Sequence, residues 1–206
     1  MPQSYYITDR HTSLRPILEQ IQIAIEAGVD YVQIREKDLS SRELFDLAVS
    51  AQTLAQRHDT RILINDRLDI ALAAALDGIH LGQLSIAPEV VRAKVSGGDF
   101  LIGVSTHSLG ELQRAHEKGV SFLTFSPVFL TPSKAIYGSP VGIEHLREVC
   151  GFSKVPVFAL GGINQQNYSE CLKMGAAGIA ATRLFQEDRE SVKKIIQEIR
   201  SFHSTV

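Results

Sequence analysis

The sequence predicts an α/β protein folded as a single (β/α)8 TIM barrel, and three features of its patterning predict it. Apolar, strand-like runs alternate with segments whose apolar residues recur at helical spacing. Most of these runs are too continuously apolar to have one wet face, as expected of a parallel sheet covered by helices. Eight such pairs follow one another at a spacing of roughly 25 residues, and that count selects a closed barrel over an open doubly wound sheet. The chain has 206 residues, 44% hydrophobic and 21% charged, enough to bury one full core, so residues 1–206 are read as one domain.

Each element has its own signal. Ser4 to Ile7 reads as the first strand, and a helix from about Leu14 to Ala27 places Leu14, Ile17, Leu18, Ile21 and Ile25 on one face before Gly28 ends it. Tyr31 to Ile34 is the second strand, tipped by Arg35-Glu36-Lys37. The helix over Leu44 to Ala55 is opened by Ser40 or Ser41 as N-cap, with Glu43 in its first turn. Arg61 to Asp66 is the third strand and Ile70 to Ala75 a short helix. Gly78 to Gly82 is the fourth strand, and Pro88 opens the helix after it. Leu101 to Ser105, a helix from Leu109 to Lys118 stopped by Gly119, and Phe122 to Ser126 follow. Val128 to Gly142 contains Pro132, Gly138 and Pro140, so it is an irregular loop long enough to be functional. A helix over Glu144 to Val149, a strand from Pro156 to Leu160, a helix over Gln165 to Met174, a strand from Gly178 to Thr182 and an amphipathic helix from Ser191 to Phe202 complete the pattern.

Composition narrows the function. No apolar run approaches the length of a membrane span, and Met1 to Asp9 lacks the pattern of a secretion signal, which makes the cytoplasm the expected location. Cys150 and Cys171 have no metal-ligand spacing and read as reduced, buried small hydrophobes. A formal net charge of -2 with no basic stripe gives no footprint for nucleic acid. A small anionic ligand, held locally, is the expectation.

In a barrel of this type the active face lies at the C-terminal ends of the strands. Arg35 and Lys37, Asn65 and Asp66, Gln83, Ser105 and His107, Ser126, Gly161-Gly162 and Thr182 all sit at such ends and are expected to converge on one mouth. Arg35 and Lys37 beside Glu36 suit a cradle for a phosphorylated ligand, Arg as a planar fork and Lys as a point charge; a salt-bridged loop is the alternative. Asn65-Asp66 suits a diphosphate and its divalent cation, or equally an N-cap. Gly161-Gly162 after the seventh strand lets backbone N–H groups approach a phosphate, with Thr182 and Arg183 after the eighth strand sharing that end, although chain reversal alone uses glycines too. Thr131, Ser133 and Lys134 could close over a ligand, against the alternative of a solvated lysine. His80, inside an apolar strand, reads as a satisfied core histidine; His107 is better placed for chemistry, or for capping the next helix.

Taken in order, Gln33-Ile34-Arg35-Glu36-Lys37, Ile64-Asn65-Asp66, His80-Leu81-Gly82-Gln83, Gly103-Val104-Ser105-Thr106-His107, Thr131 to Lys134 and Gly161-Gly162-Ile163 resemble the thiamine phosphate synthase/TenI family over nearly the whole chain. The resemblance implies a (β/α)8 barrel in thiamine biosynthesis. Synthases of the family join hydroxymethylpyrimidine diphosphate to a thiazole phosphate and release pyrophosphate with magnesium assistance; TenI members aromatise a thiazole carboxylate phosphate without metal. Carried over, Gln33 resembles the pyrimidine contact and Arg35, Lys37, Asn65 and Lys134 the diphosphate clamp. Asp66 resembles a magnesium ligand and Ser105 a contact near the departing diphosphate. Thr131 and Ser133 match residues around the thiazole, and Gly162 with the Thr182-Arg183 backbone matches its phosphate end.

The chain departs from the pattern at three points. Arg67 stands where the synthase motif has a second aspartate after asparagine, Leu84-Ser85 stand where an acidic pair supplies the second metal ligand, and Pro127 stands where TenI members carry a histidine. Magnesium would therefore rest on Asp66, water and substrate oxygens. Synthase-type coupling of a phosphorylated thiazole with a pyrimidine diphosphate is the leading expectation, with no nucleic-acid or membrane partner and a homo-oligomer left open. The alternatives are a metal-independent thiazole tautomerase using His107 or His80, and a non-catalytic phosphate-binding barrel.

Overall fold

Parallel pairing runs unbroken around eight strands in a computed structural model that describes residues 1–95, 98–115, 119–131 and 140–202. The strands are β1 (Gln3–Ile7), β2 (Tyr31–Ile34), β3 (Arg61–Asn65), β4 (Gly78–Leu81), β5 (Leu101–Thr106), β6 (Phe122–Phe125), β7 (Val157–Leu160) and β8 (Gly178–Ala181). β1 sets Tyr5 opposite Tyr31 on one side and Ala180 on the other, which closes the ring. Helices α1 (Ile17–Ala27), α2 (Ser41–Ala55), α3 (Leu68–Ala73), α4 (Pro88–Arg92), α5 (Leu109–Ala115), α6 (Ile143–Phe152), α7 (Tyr168–Lys173) and α8 (Arg189–Ser201) follow the strands in turn, α8 after a 3-10 turn over Arg183–Phe185. The expected (β/α)8 barrel is present.

Strand alternation divides the core in two. Val32, Ile34, Ile62 and Ile64 point outward and pack with Ile21, Ile25, Ala48 and Ala51 of the helices, whereas Tyr5, Leu63, Phe122, Phe158 and Ala180 fill the barrel. Both faces of each strand are thus dry, and that is why the runs read as continuously apolar. Inside, the rings of Phe122 and Phe158 meet edge-on with centroids 5.3 Å apart, and Tyr5 meets Phe122 at 5.5 Å. Glycines make the room: a Cβ at Gly178 would stand 2.5 Å from the Phe158 ring, and one at Gly103 would stand 2.5 Å from Phe122.

Helix ends differ from the expected ones for local reasons. α1 begins at Ile17 because Pro16 precedes it, leaving Leu14 outside the helix and 95% exposed. α2 has a full capping box, with Ser40 accepting from the Glu43 N–H and Glu43 accepting from the Ser40 N–H at 2.9 Å. α7 starts at Tyr168 rather than Gln165, since the Asn167 and Asn164 side chains accept from the N–H groups of Asn164 and Gln166 and hold that stretch as turns. α6 continues to Phe152, past the expected end at Val149. The expected extension of the fifth helix over residues 116–118 lies outside the described residues.

Among the described residues no helix is long and apolar enough to cross a membrane. Both cysteines are free, and burial pushes both thiols up to about 12, so they stay protonated and unreactive near neutral pH.

Candidate active site

The strand ends put most of the singled-out side chains around one opening, and β2 contributes the charge. Tyr31 and Gln33 face the barrel interior, so Arg35, two residues on, continues that face above them. The Arg35 N–H donates to the Thr8 hydroxyl at 2.9 Å, which fixes the chain as it leaves the strand. Glu36 turns the opposite way and is 3% exposed; its carboxylate accepts from the Arg10 N–H and lies 3.5 Å from the Arg10 guanidinium. Arg10 in turn pairs with Asp38 and holds its carboxyl well below the usual carboxylate range. Glu36 is therefore spent on joining two loops. The loop after β2 is thus salt-bridged through its anions, Glu36 and Asp38, whereas among the described residues Arg35 and Lys37 make no side-chain hydrogen bond or ion pair.

Next around the rim, Asn65 ends β3 and Asp66 follows at φ 64°, with its N–H donating to the His80 carbonyl at 3.0 Å. Asp66 is exposed. Arg67 turns aside: its guanidinium grips the Asp69 carboxylate at 2.9 and 2.6 Å and donates to the Ser41 hydroxyl, so its charge is matched locally. Ser85, in the place of the second metal aspartate, spends its hydroxyl accepting from the Gly82 N–H at 2.8 Å. No cluster of three or more His, Cys, Asp or Glu residues suited to a metal occurs among the described residues. Asp66 is thus left as the exposed carboxylate at the β3 end, with no second carboxylate at position 85. A lone carboxylate of this kind fits magnesium only with water and phosphate oxygens completing the shell, since magnesium keeps water ligands and takes phosphate oxygens beside one or two carboxylates.

Below the rim lies a chain of polar groups. Gln33 Nε2 donates to the Tyr5 hydroxyl at 2.6 Å, this hydroxyl lies 3.1 Å from His80 Nδ1, and His80 Nε2 lies 3.0 Å from the Ser105 hydroxyl. His80 is thus a satisfied core histidine. Burial, and secondarily the charge of Arg35, push its ring down to about 3. His107 sits at the rim beyond Ser105, with its N–H held by Glu111 at 2.7 Å and Nδ1 2.6 Å from the Ser126 carbonyl. A carbonyl only accepts, so Nδ1 carries the hydrogen and Nε2 is the nitrogen left for a ligand. Gln83 donates to the same Glu111 carboxylate at 2.9 Å, an arrangement that steadies the loop.

The far side of the rim is built from backbone. Gly161 and Gly162 adopt φ 96° and 66°, and their carbonyls accept from Phe129 N–H and Asn167 Nδ2. Among the described residues neither glycine N–H has an acceptor in the protein, so the turn presents donors. The turn also needs glycine sterically: a Cβ at Gly161 would lie 2.7 Å from Pro127 Cα, and one at Gly162 would lie 2.6 Å from the Leu130 carbonyl. Thr131 follows Leu130 and is half-buried beside this turn. Thr182 is half-buried at the head of the 3-10 turn and Arg183 is exposed. Ser133 and Lys134 lie outside the described residues.

Sequence reasoning passed over two members of the polar chain. Tyr5 reads from sequence as a strand residue alone, and Thr124, whose hydroxyl lies 3.5 Å from that of Ser105, carries no sequence signal of its own. A buried tyrosine needs a partner for its hydroxyl, and that was the available signal.

Comparison with known proteins agrees with the geometry. A family model described as thiamine monophosphate synthase matches residues 4–185. A protein of Geobacter sulfurreducens is 49% identical over 177 residues, covering 85% of this chain and 83% of its own. The thiamine-phosphate synthase of Syntrophomonas wolfei is 40% identical over 177 residues, covering 85% and 84%. Among solved structures, the thiamine phosphate pyrophosphorylase of Pyrococcus furiosus superposes with a TM-score of 0.84 at 33% identity over 96% of each chain.

Proposed function

The chain belongs to the thiamine monophosphate synthase family, and from that premise we infer that it is a transferase of thiamine biosynthesis that couples a hydroxymethylpyrimidine diphosphate to a thiazole phosphate. A C–N bond forms between the methylene carbon of the pyrimidine and the thiazole nitrogen, the bond from that carbon to the diphosphate oxygen breaks, and pyrophosphate leaves. The observation that supports this most directly lies at the β2 tip, where Arg35 and Lys37 are exposed and make no side-chain hydrogen bond or ion pair among the described residues while Glu36 is drawn off to Arg10. Cations kept free of protein anions at that point favour a leaving diphosphate, because charge accumulates on it as the bond breaks.

In this reading Gln33 spends its amide N–H on Tyr5, so its carbonyl remains to accept from the pyrimidine. Arg35, Lys37, Asn65 and Lys134 grip the diphosphate. Ser105 donates to it, and His107 Nε2 borders it. Thr131 and Ser133 flank the thiazole, whose phosphate meets the N–H groups of Gly161 and Gly162 and the Thr182-Arg183 backbone. Asp66 would hold a magnesium ion carried on the diphosphate; when bound, the ion supplies further neutralisation of the leaving group. Two unbridged thiols suit the reducing cytoplasm.

The tautomerase alternative is not favoured. Pro127 occupies the position of its proton carrier, and His80 has both ring nitrogens engaged inside the barrel. The test is pyrophosphate release by the purified protein given both substrates and magnesium. Stoichiometric release with thiamine phosphate formed is expected, and no product at high enzyme concentration removes the coupling reading. Ser85→Asp should also tighten magnesium binding, by about tenfold in titrations with the diphosphate substrate present, as a second carboxylate joins Asp66.

A further inference from the structure

The polar chain inside the barrel has a direction, and counting hydrogens gives it. The Tyr5 oxygen accepts from Gln33, and the other polar atom within its reach among the described residues is His80 Nδ1, so the phenol hydrogen goes to that nitrogen. The imidazole then carries its own hydrogen on Nε2 and donates to Ser105. The imidazole N–H reaches the serine oxygen at 3.0 Å, while the Thr124 hydroxyl stands 3.5 Å from both Ser105 Oγ and His80 Nε2, at the limit of a hydrogen bond. The short bond therefore fixes the serine oxygen as an acceptor from below and leaves its hydrogen to turn to the mouth.

We propose that Tyr5 and His80 are positioning residues for the coupling reaction: they lock Ser105 as a hydrogen-bond donor toward the diphosphate oxygen that gains charge on departure. The proposal rests on the coupling reading above. An unconstrained serine rotates and can accept as readily as donate, whereas a donor fixed before the reaction needs no reorganisation as charge develops. The tautomer is kept by its surroundings. Tyr5 packs against the ring with centroids 5.8 Å apart, Phe122 at 6.0 Å, and the ring fits because position 103 has no side chain, a Cβ there falling 2.6 Å from His80 Nδ1. Burial keeps the imidazole neutral, so the same tautomer serves across the working pH range. The chain starts at Gln33 and ends at Ser105, which ties the ring-binding contact to the leaving-group contact through two side chains that touch neither substrate.

Two measurements test this. In the wild-type protein the ring 15N spectrum of His80 should show Nε2 protonated and Nδ1 bare; a ring protonated on Nδ1, or exchanging between the two forms, overturns the proposal whether or not the enzyme turns over. In kinetics, Tyr5→Phe keeps the aromatic ring and removes the hydroxyl, so kcat should fall about tenfold while KM for the diphosphate stays within about twofold. In a Ser105→Ala background the same substitution should cost nothing further, because its route of action is gone. An equal loss in both backgrounds marks a merely structural role and overturns the proposal. Absence of wild-type turnover with the Nε2–H ring intact is a different result: it removes the coupling reading, and the role assigned here falls with it.

Discussion

Tyr5 and His80 show how far single residues could be read. A histidine flanked by apolar neighbours was legible as a core residue, and the structure seats it with both nitrogens bonded. Its partners were not legible, because Tyr5 and Ser105 lie 75 and 25 positions away and only the barrel register brings them together. Seating a neutral imidazole has a pH cost with a definite sign. The folded ring titrates near 3 against an ordinary 6.5, so below 6.5 the unfolded chain binds a proton the folded one refuses. Stability is therefore full above about pH 7 and declines as the pH falls toward 3. Between pH 7 and pH 5 the loss from this residue should be about 2 kcal/mol in urea unfolding. A His80→Gln protein, less stable at neutral pH, should lose about 2 kcal/mol less over that interval; an identical slope would mean the ring is protonated in the fold.

At the scale of elements, the eight strand and helix pairs were legible because each obeys a local rule: helical spacing, apolar continuity, Ser40 with Glu43, Pro88 at a helix start. The errors fell at helix ends, where one proline or a pair of asparagines outweighs periodicity, as at Pro16 and at Asn164 with Asn167. The turn at Gly161-Gly162 was legible as unusual but not as obligatory. Its positive φ values, and the backbone of Pro127 and Leu130 pressed against it, make it so. Gly162→Ala should destabilise the protein by about 2 kcal/mol, since an L-residue is strained there and its Cβ meets a carbonyl. It should also raise KM for thiazole phosphate by about tenfold as the N–H groups shift. A normal KM in a folded variant would place the phosphate elsewhere on the rim.

For the whole molecule, the site was legible as a sum rather than as any one motif. Once eight strands form a ring, every strand's last residue shares a rim, and scattered polar tips become neighbours without further assumption. What the sum could not supply was pairing between loops: Glu36 reads as part of a three-residue charge cluster, yet it answers to Arg10, 26 positions earlier. Arg67 likewise stands in the motif at the β3 end, yet its guanidinium serves Asp69 and Ser41.

The packed rings of Tyr5, Tyr31, Phe122 and Phe158 stop the barrel like a cork beneath the rim. Among the described residues that leaves one doorway to the inner polar groups, shared by arrivals and departures. Whichever ring reaches Gln33, buried below the rim at 1% exposure, must be seated before the second guest can stand above it. Initial-rate patterns should accordingly be sequential, the pyrimidine compound leading, and thiazole phosphate in excess should bar the way to the inner berth. Strictly random loading would mean a back door that the aromatic stopper does not allow.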